Sequence, residues 1–141
     1  MQLRAVLETV LYVDDLEAAA SFYGGLLGLR EVSRQPGIFL FYRLDNQMLL
    51  LFDPAAAEQS RAVPSHGARG AGHVCFAVPD AELEPWADRL APHGIRIEQW
   101  QDWPKGGRSF YFRDPAGNSL ELASPRIWAF SEALSPTGQP A

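Results

Sequence analysis

The stretch His73-Val74-Cys75-Phe76-Ala77-Val78-Pro79-Asp80 says again what Glu8-Thr9-Val10-Leu11-Tyr12-Val13-Asp14-Asp15 has already said. Each is a short apolar run opened by a titratable residue and closed by acid. Each is followed by a helical pattern and a stop, Leu27-Gly28-Leu29 in the first case and His93-Gly94-Ile95 in the second. Self-similarity at a long period marks an architecture in which one supersecondary unit is used twice. The chain therefore reads as a duplication.

Working outward, the first helix is expected from about Leu16 to Leu27, with Asp14 or Asp15 as N-cap and Gly28 just past its end. In the second, Asp80 caps, Leu83, Trp86, Ala87 and Leu90 fall at helical spacing, Pro85 is tolerated near the first turn, and Pro92 with Gly94 ends the pattern. Strands follow each helix, at 30–34, 39–44 and 47–52 in the first half and at 96–100, 109–113 and 119–123 in the second. Asp45-Asn46 and Asp114-Pro115-Ala116-Gly117-Asn118 supply the hairpin turns. Both halves read β-α-β-β-β, so the expected class is α+β, two tandem βαβββ modules forming a curved mixed sheet around a cavity. The expected organisation is one domain over 1–141, with module 1 at about 5–53, a linker at 54–71, module 2 at 72–124 and a tail at 125–141. In that tail Trp128 and Phe130 dock before the chain frays after Pro136.

Composition narrows the function. There are 17 acidic and 12 basic residues, a formal charge of −5, and that excess argues against nucleic acid. A hydrophobic fraction of 47% is too high for a disordered tail, and one cysteine builds no disulfide scaffold. A chain of 141 residues folds without a metal staple, so a bound metal is expected to serve function. The apolar stretch from Thr9 to Val13 is fenced by Glu8, Asp14 and Asp15, which does not read as a targeting signal. Runs such as Met48 to Phe52 fall far short of the roughly 18 residues of a membrane span. The expectations are a cytoplasmic protein, no membrane partner, and a reduced, buried Cys75.

Strand side chains alternate between faces, so parity sorts each strand into two rows. Val74, Phe76 and Val78 form one row and His73, Cys75 and Ala77 the other. Leu120 and Leu122 oppose Ser119, Glu121 and Ala123, while Glu8 shares its row with Val6, Val10 and Tyr12. Taken singly, each of the three titratable residues has an ordinary structural reading. A carboxylate embedded in an apolar strand is nevertheless costly unless it is paired, protonated or metal-bound. If the three faces belong to one curved sheet, Glu8, His73 and Glu121 converge on a cavity with one imidazole and two carboxylates. That set suits a divalent ion such as Zn, Ni, Fe, Mn or Co and leaves positions open for substrate. The same inferred cavity carries the apolar row Val10, Tyr12, Met48, Leu50 and Phe52, which points to a small organic substrate with a hydrophobic part.

Several of these pieces together resemble the vicinal oxygen chelate superfamily, which includes glyoxalase I, extradiol dioxygenases, fosfomycin-resistance proteins and bleomycin-resistance proteins. They are Glu8 to Leu16, Phe22-Tyr23, Leu27-Gly28-Leu29, Gly72 to Val78, and Arg113 to Leu122, and they span most of residues 5 to 124. The resemblance implies that His73 and Glu121 are metal ligands and that Glu8 stands where many relatives have a ligating His. Leu50 occupies the position of a further metal-binding carboxylate in glyoxalase I, a departure from that pattern. Extradiol dioxygenases use two His and one Glu, against one His and two Glu here. Thiol transferases acting on fosfomycin resemble it at these positions, with no counterpart to their basic clamp beyond Arg126. One scaffold hosts many chemistries, so the resemblance specifies fold more sharply than reaction.

The implied chemistry is chelation of a substrate's vicinal oxygens on an open metal, with Glu121 or Glu8 as general base. Tyr111 and Arg108 are candidates for binding the substrate's oxygens. Trp100 to Gly107 reads either as a mobile loop, with Trp100 and Trp103 over a bound ligand, or as a plain surface hairpin. Each module leaves sheet edges open, and relatives close them by pairing modules, often in a homodimer, which is the expected assembly. The leading expectation is a metal-dependent lyase, isomerase or dioxygenase-like enzyme. The alternatives are a protein that sequesters a drug or metabolite without turnover, and a fosfomycin-type thiol transferase.

Overall fold

The computed structural model describes residues 1–132. They form two compact units, one of residues 1–72 together with Asp114–Asn118, the other of His73–Arg113 and the chain from Ser119. Both follow the β-α-β-β-β order that the repeat implies.

The first unit contains β1 (Glu8–Tyr12), α1 (Leu16–Ala19), β2 (Arg30–Gln35), β3 (Phe39–Arg43), β4 (Met48–Phe52) and α2 (Pro54–Glu58). Its sheet runs β1-β4-β3-β2, with β1 parallel to β4 and the other pairs antiparallel. Asp15 caps α1, its side chain accepting from Glu17 and Ala18 N–H. The helix then widens into a π-helix over Ala20–Leu26, where Leu27 N–H reaches back to the Phe22 carbonyl at 2.9 Å. This turn buries Phe22 and Tyr23 against the row Leu40, Tyr42, Leu49 and Leu51. Each such side chain contributes roughly 1.5–3 kcal/mol on burial. Within the expected linker, Asp53 caps α2 through Ala56 N–H at 2.8 Å.

Asp114–Asn118 explains its own motif by its bonds. The Tyr23 hydroxyl donates to Asp114 Oδ2 at 2.7 Å, and Asn118 N–H donates to Asp114 Oδ1 at 2.7 Å. Asn118 Nδ2 donates to the Tyr12 carbonyl, and its Oδ1 accepts from Gly72 N–H. Gly72 fits closely here, since a Cβ would meet Leu11 Cδ2 at 2.9 Å and Asn118 Oδ1 at 3.2 Å.

The second unit contains β5 (His73–Ala77), α3 (Leu83–Leu90), β6 (Gln99–Asp102), β7 (Arg108–Arg113) and β8 (Ser119–Ala123) in sheet order β5-β8-β7-β6. The parity reading holds, with Leu120, Leu122, Phe110 and Phe112 buried on one side, where α3 contributes Leu83 and Leu90. Three expectations are corrected. Asp80 makes no side-chain cap; it opens a 3-10 turn over Asp80–Glu82, closed by Glu82 N–H on the Pro79 carbonyl. Strand β6 lies later than 96–100, because the turn closed by Trp103 N–H on the Gly107 carbonyl sets its register with β7. Trp128 and Phe130 do not dock, being 73% and 69% exposed. The expected fraying after Pro136 lies outside the described residues.

Candidate functional site

Register places His73, Ser119 and Arg113 in one cross-strand row, and Cys75, Glu121, Tyr111 and Gln99 in the next, all on the face of the second sheet away from α3. Glu121 is 5% exposed, and its Oε1 is buried without a hydrogen-bond partner among the described residues. His73 comes from edge strand β5 and is half exposed. Its Nδ1 lies 3.0 Å from the Ser119 carbonyl oxygen, and its Nε2 lies 3.4 Å from Glu121 Oε2. A carbonyl only accepts, so Nδ1 carries the proton it donates. In the neutral ring Nε2 then turns a lone pair toward a carboxylate oxygen. Two acceptors at that separation call for a proton or a cation between them. An imidazole oriented through its other nitrogen beside a buried, under-bonded carboxylate is the donor set that divalent ions of borderline hardness prefer.

The neighbours are tuned by the same carboxylate. Cys75 was expected buried, but edge strand β5 leaves the residue exposed. Desolvation of its thiol and the adjacent Glu121 charge push it up to about 12. The Tyr111 phenol is raised by desolvation first and by the neighbouring Glu121 carboxylate second, and its ring stacks toward His73 at 6.2 Å between centroids. Beside them is an open pocket of about 400 Å³ lined by Gln99, Gln101, Trp103, Tyr111 and Arg113, among others. Trp103 is anchored there by donation from Nε1 to Ser109 Oγ at 2.9 Å.

Arg108 is not brought to this face. It precedes Ser109 by one residue and so points with Phe110 and Phe112. Its guanidinium pairs with Glu84 and Asp102 and lies over Trp100 at 4.7 Å. The two tryptophans of the 100–107 segment accordingly serve different sides: Trp100 packs on Phe110, and Trp103 lines the pocket.

Glu8, Tyr12, Leu50 and Phe52 belong to the first unit. Glu8 opens edge strand β1 and is exposed, so the burial argument made for both carboxylates holds for Glu121 alone. Register aligns Glu8 with Met48, Val10 with Leu50 and Phe41, and Tyr12 with Phe52 and Phe39. Sequence reasoning missed Phe39, Phe41 and His66, which complete this face: the Tyr12 hydroxyl lies 2.6 Å from His66 Nδ1. The β3 parity was a usable signal for the two phenylalanines. Nothing local pointed to a contact 54 residues away. Among the described residues, no group of three His, Cys, Asp or Glu side chains gathers to hold a metal.

Residues 5–122 match the family described as Glyoxalase/Bleomycin resistance protein/Dioxygenase superfamily. Glutathione transferase FosA of Serratia marcescens is 33% identical over 121 residues, which cover 85% of this chain and 80% of that protein. The crystal structure of lactoylglutathione lyase from Agrobacterium tumefaciens is 43% identical, with a TM-score of 0.87 over 92% of this chain and all of that one. Fosfomycin resistance protein FosX from Mesorhizobium loti shares the fold at 22% identity, with a TM-score of 0.60 over 88% of this chain and 93% of its own.

Proposed function

Because the chain belongs to the Glyoxalase/Bleomycin resistance protein/Dioxygenase superfamily, we propose that it is a metal-dependent enzyme acting on a small molecule with vicinal oxygens. The observation that carries this reading is the buried, half-unsatisfied Glu121 beside the oriented imidazole of His73. His73 Nε2 and the Glu121 carboxylate would hold a divalent ion, with Glu8 as third ligand. The ion, when bound, supplies Lewis-acid stabilisation of negative charge developing on the substrate's oxygens.

The chain's own groups do the rest. The Ser119 carbonyl fixes the His73 tautomer. Glu121 has an oxygen to spare for a proton, which suits it to general-base work, with Glu8 as the other candidate. Tyr111, kept neutral by its surroundings, is a donor for a substrate oxygen. Leu50 keeps the first-unit face apolar where glyoxalase I has a carboxylate, so strict glyoxalase I chemistry is not the form we favour.

We take the protein to be a homodimer in which Glu8 of one copy completes the His73 and Glu121 pair of the other. The open ladders of edge strands β1, β2, β5 and β6 give such pairing a surface. No described helix is long and apolar enough to cross a membrane, and we take the protein to work in the cytoplasm.

A second reading, thiol transfer to a fosfomycin-like acceptor, draws on the 33% identical glutathione transferase FosA. Sequestration without turnover is the third. Assays of the metal-loaded protein with glutathione hemithioacetals, with fosfomycin and glutathione, and with catechols under oxygen separate the enzymatic forms. Turnover in one of them, abolished by Glu121→Gln, is the expected result. Tight ligand binding with no turnover in any would instead establish sequestration.

A further inference from the structure

The open face of the first unit's sheet carries an aromatic floor. Phe39 and Phe41 stack at 4.1 Å with planes 17° apart, and Phe52 meets Phe41 edge-on at 5.3 Å. All three residues are partly buried. The floor is uncharged, since the rows through it are Val10, Leu50, Phe41 and Ser33, then Tyr12, Phe52, Phe39 and Gln35. One border is a wall. His66 stands edge-on to Phe52 at 4.9 Å and 86°, held by the 2.6 Å bond between its Nδ1 and the Tyr12 hydroxyl. That bond leaves His66 Nε2 with no hydrogen bond among the described residues.

We propose that this face binds a flat aromatic group of the substrate, with the ring on Phe41 and Phe52 and a polar substituent of the ring at His66 Nε2. The proposal rests on the reading that the same substrate chelates at a metal held in part by Glu8. The Val10, Leu50 and Phe41 row is two residues from the Glu8 row along β1, about 7 Å at a strand's rise. A ring attached to a chelating oxygen pair has its centre roughly 5–6 Å from the chelated ion, a span comparable to that separation. A third ring continues the offset and edge-on geometry already present, which a saturated group of the same area does not. The His66 wall narrows the floor to the scale of a small molecule, and the absence of charge selects a neutral ring.

Benzohydroxamate, cyclohexanecarbohydroxamate and acetohydroxamate share one chelating oxygen pair and differ in what it carries. Titrated calorimetrically into zinc-loaded protein, benzohydroxamate should bind about tenfold more tightly than the other two. Phe41→Leu, which keeps an apolar side chain, should erase that preference and leave acetohydroxamate unchanged. On chelator-stripped protein, millimolar benzohydroxamate should still shift the ring resonances of Phe39, Phe41, Phe52 and His66. Equal affinity for the three, a preference that survives Phe41→Leu, or ring resonances untouched because a second copy covers the face would each overturn the proposal. Failure of the metal reading looks different: zinc is not taken up and acetohydroxamate does not bind, yet the aromatic shifts persist.

Discussion

The Tyr23 hydroxyl donates to Asp114 across 91 residues of sequence, and Asp114 is 4% exposed. The same side chain accepts from Asn118 N–H and Nδ2, so one buried carboxyl group is satisfied by three donors. The turn Asp114-Pro115-Ala116-Gly117-Asn118 thereby does more than reverse the chain. Asp114→Asn puts an amide where three donors converge. It should lower the unfolding free energy by about 1–3 kcal/mol in urea titrations, and Tyr23→Phe by about 1 kcal/mol. A loss below about 0.5 kcal/mol in both would mean that the network is incidental.

Alkaline pH should act on the same region. Burial, first, and Asp114 push the Tyr23 phenol well above its ordinary 10, and burial lifts Tyr42 to about 12. A raised phenol pKa favours the neutral form in the folded state. The stability these groups contribute is whole below pH 10, and the Tyr42 part is lost as pH climbs through its folded-state value near 12. Thermal midpoints should hold from pH 8 to 10 and fall steeply above it, while Tyr42→Phe flattens the fall. A midpoint independent of pH up to 12 would contradict this.

Cys75 reports on Glu121. With its thiol raised to about 12, only about one molecule in ten thousand is thiolate at pH 8. Chelator-treated protein should react with iodoacetamide more than about tenfold more slowly than an unperturbed thiol. Desolvation is the larger cause and Glu121 the smaller, so Glu121→Gln should speed the reaction without restoring it fully. An unchanged rate in that variant would show that the two side chains do not interact.

Arg108 and Tyr111 separate by face. Arg108 is tied to Glu84 and Asp102 at a partly exposed position. Arg108→Ala should therefore cost about 0–1 kcal/mol of stability and leave metal affinity unchanged. Tyr111→Phe should instead alter substrate KM or kcat while leaving stability within about 0.5 kcal/mol. Impaired catalysis in Arg108→Ala alone would reverse these roles.

Much of this was legible in the sequence, and the reasons are local. The alternation of Val74 and Phe76 with His73 and Cys75 fixes which face is core, because a strand has a period of two. The Asp15 cap and the Gly94 stop rest on short-range backbone chemistry, and both occur. What escaped depended on tertiary partners or on a boundary. Helix α2 looked like linker because its Pro and Ala residues resemble a spacer. Starting β7 at Ser109, one residue late, hides the parity of Arg108 with Phe110. Glu8 looked buried from its apolar neighbours, but β1 is an edge strand that leaves it exposed. The contact of His66 with Tyr12 has no sequence signal at all.

The most direct test of the central claim is the metal content and affinity of chelator-stripped, reloaded protein, measured by elemental analysis and calorimetry beside His73→Ala and Glu121→Gln. The account predicts one divalent ion per chain in the wild type and at least about a hundredfold weaker binding in either variant. Substoichiometric metal in the wild type, or binding unchanged by both substitutions, would contradict it.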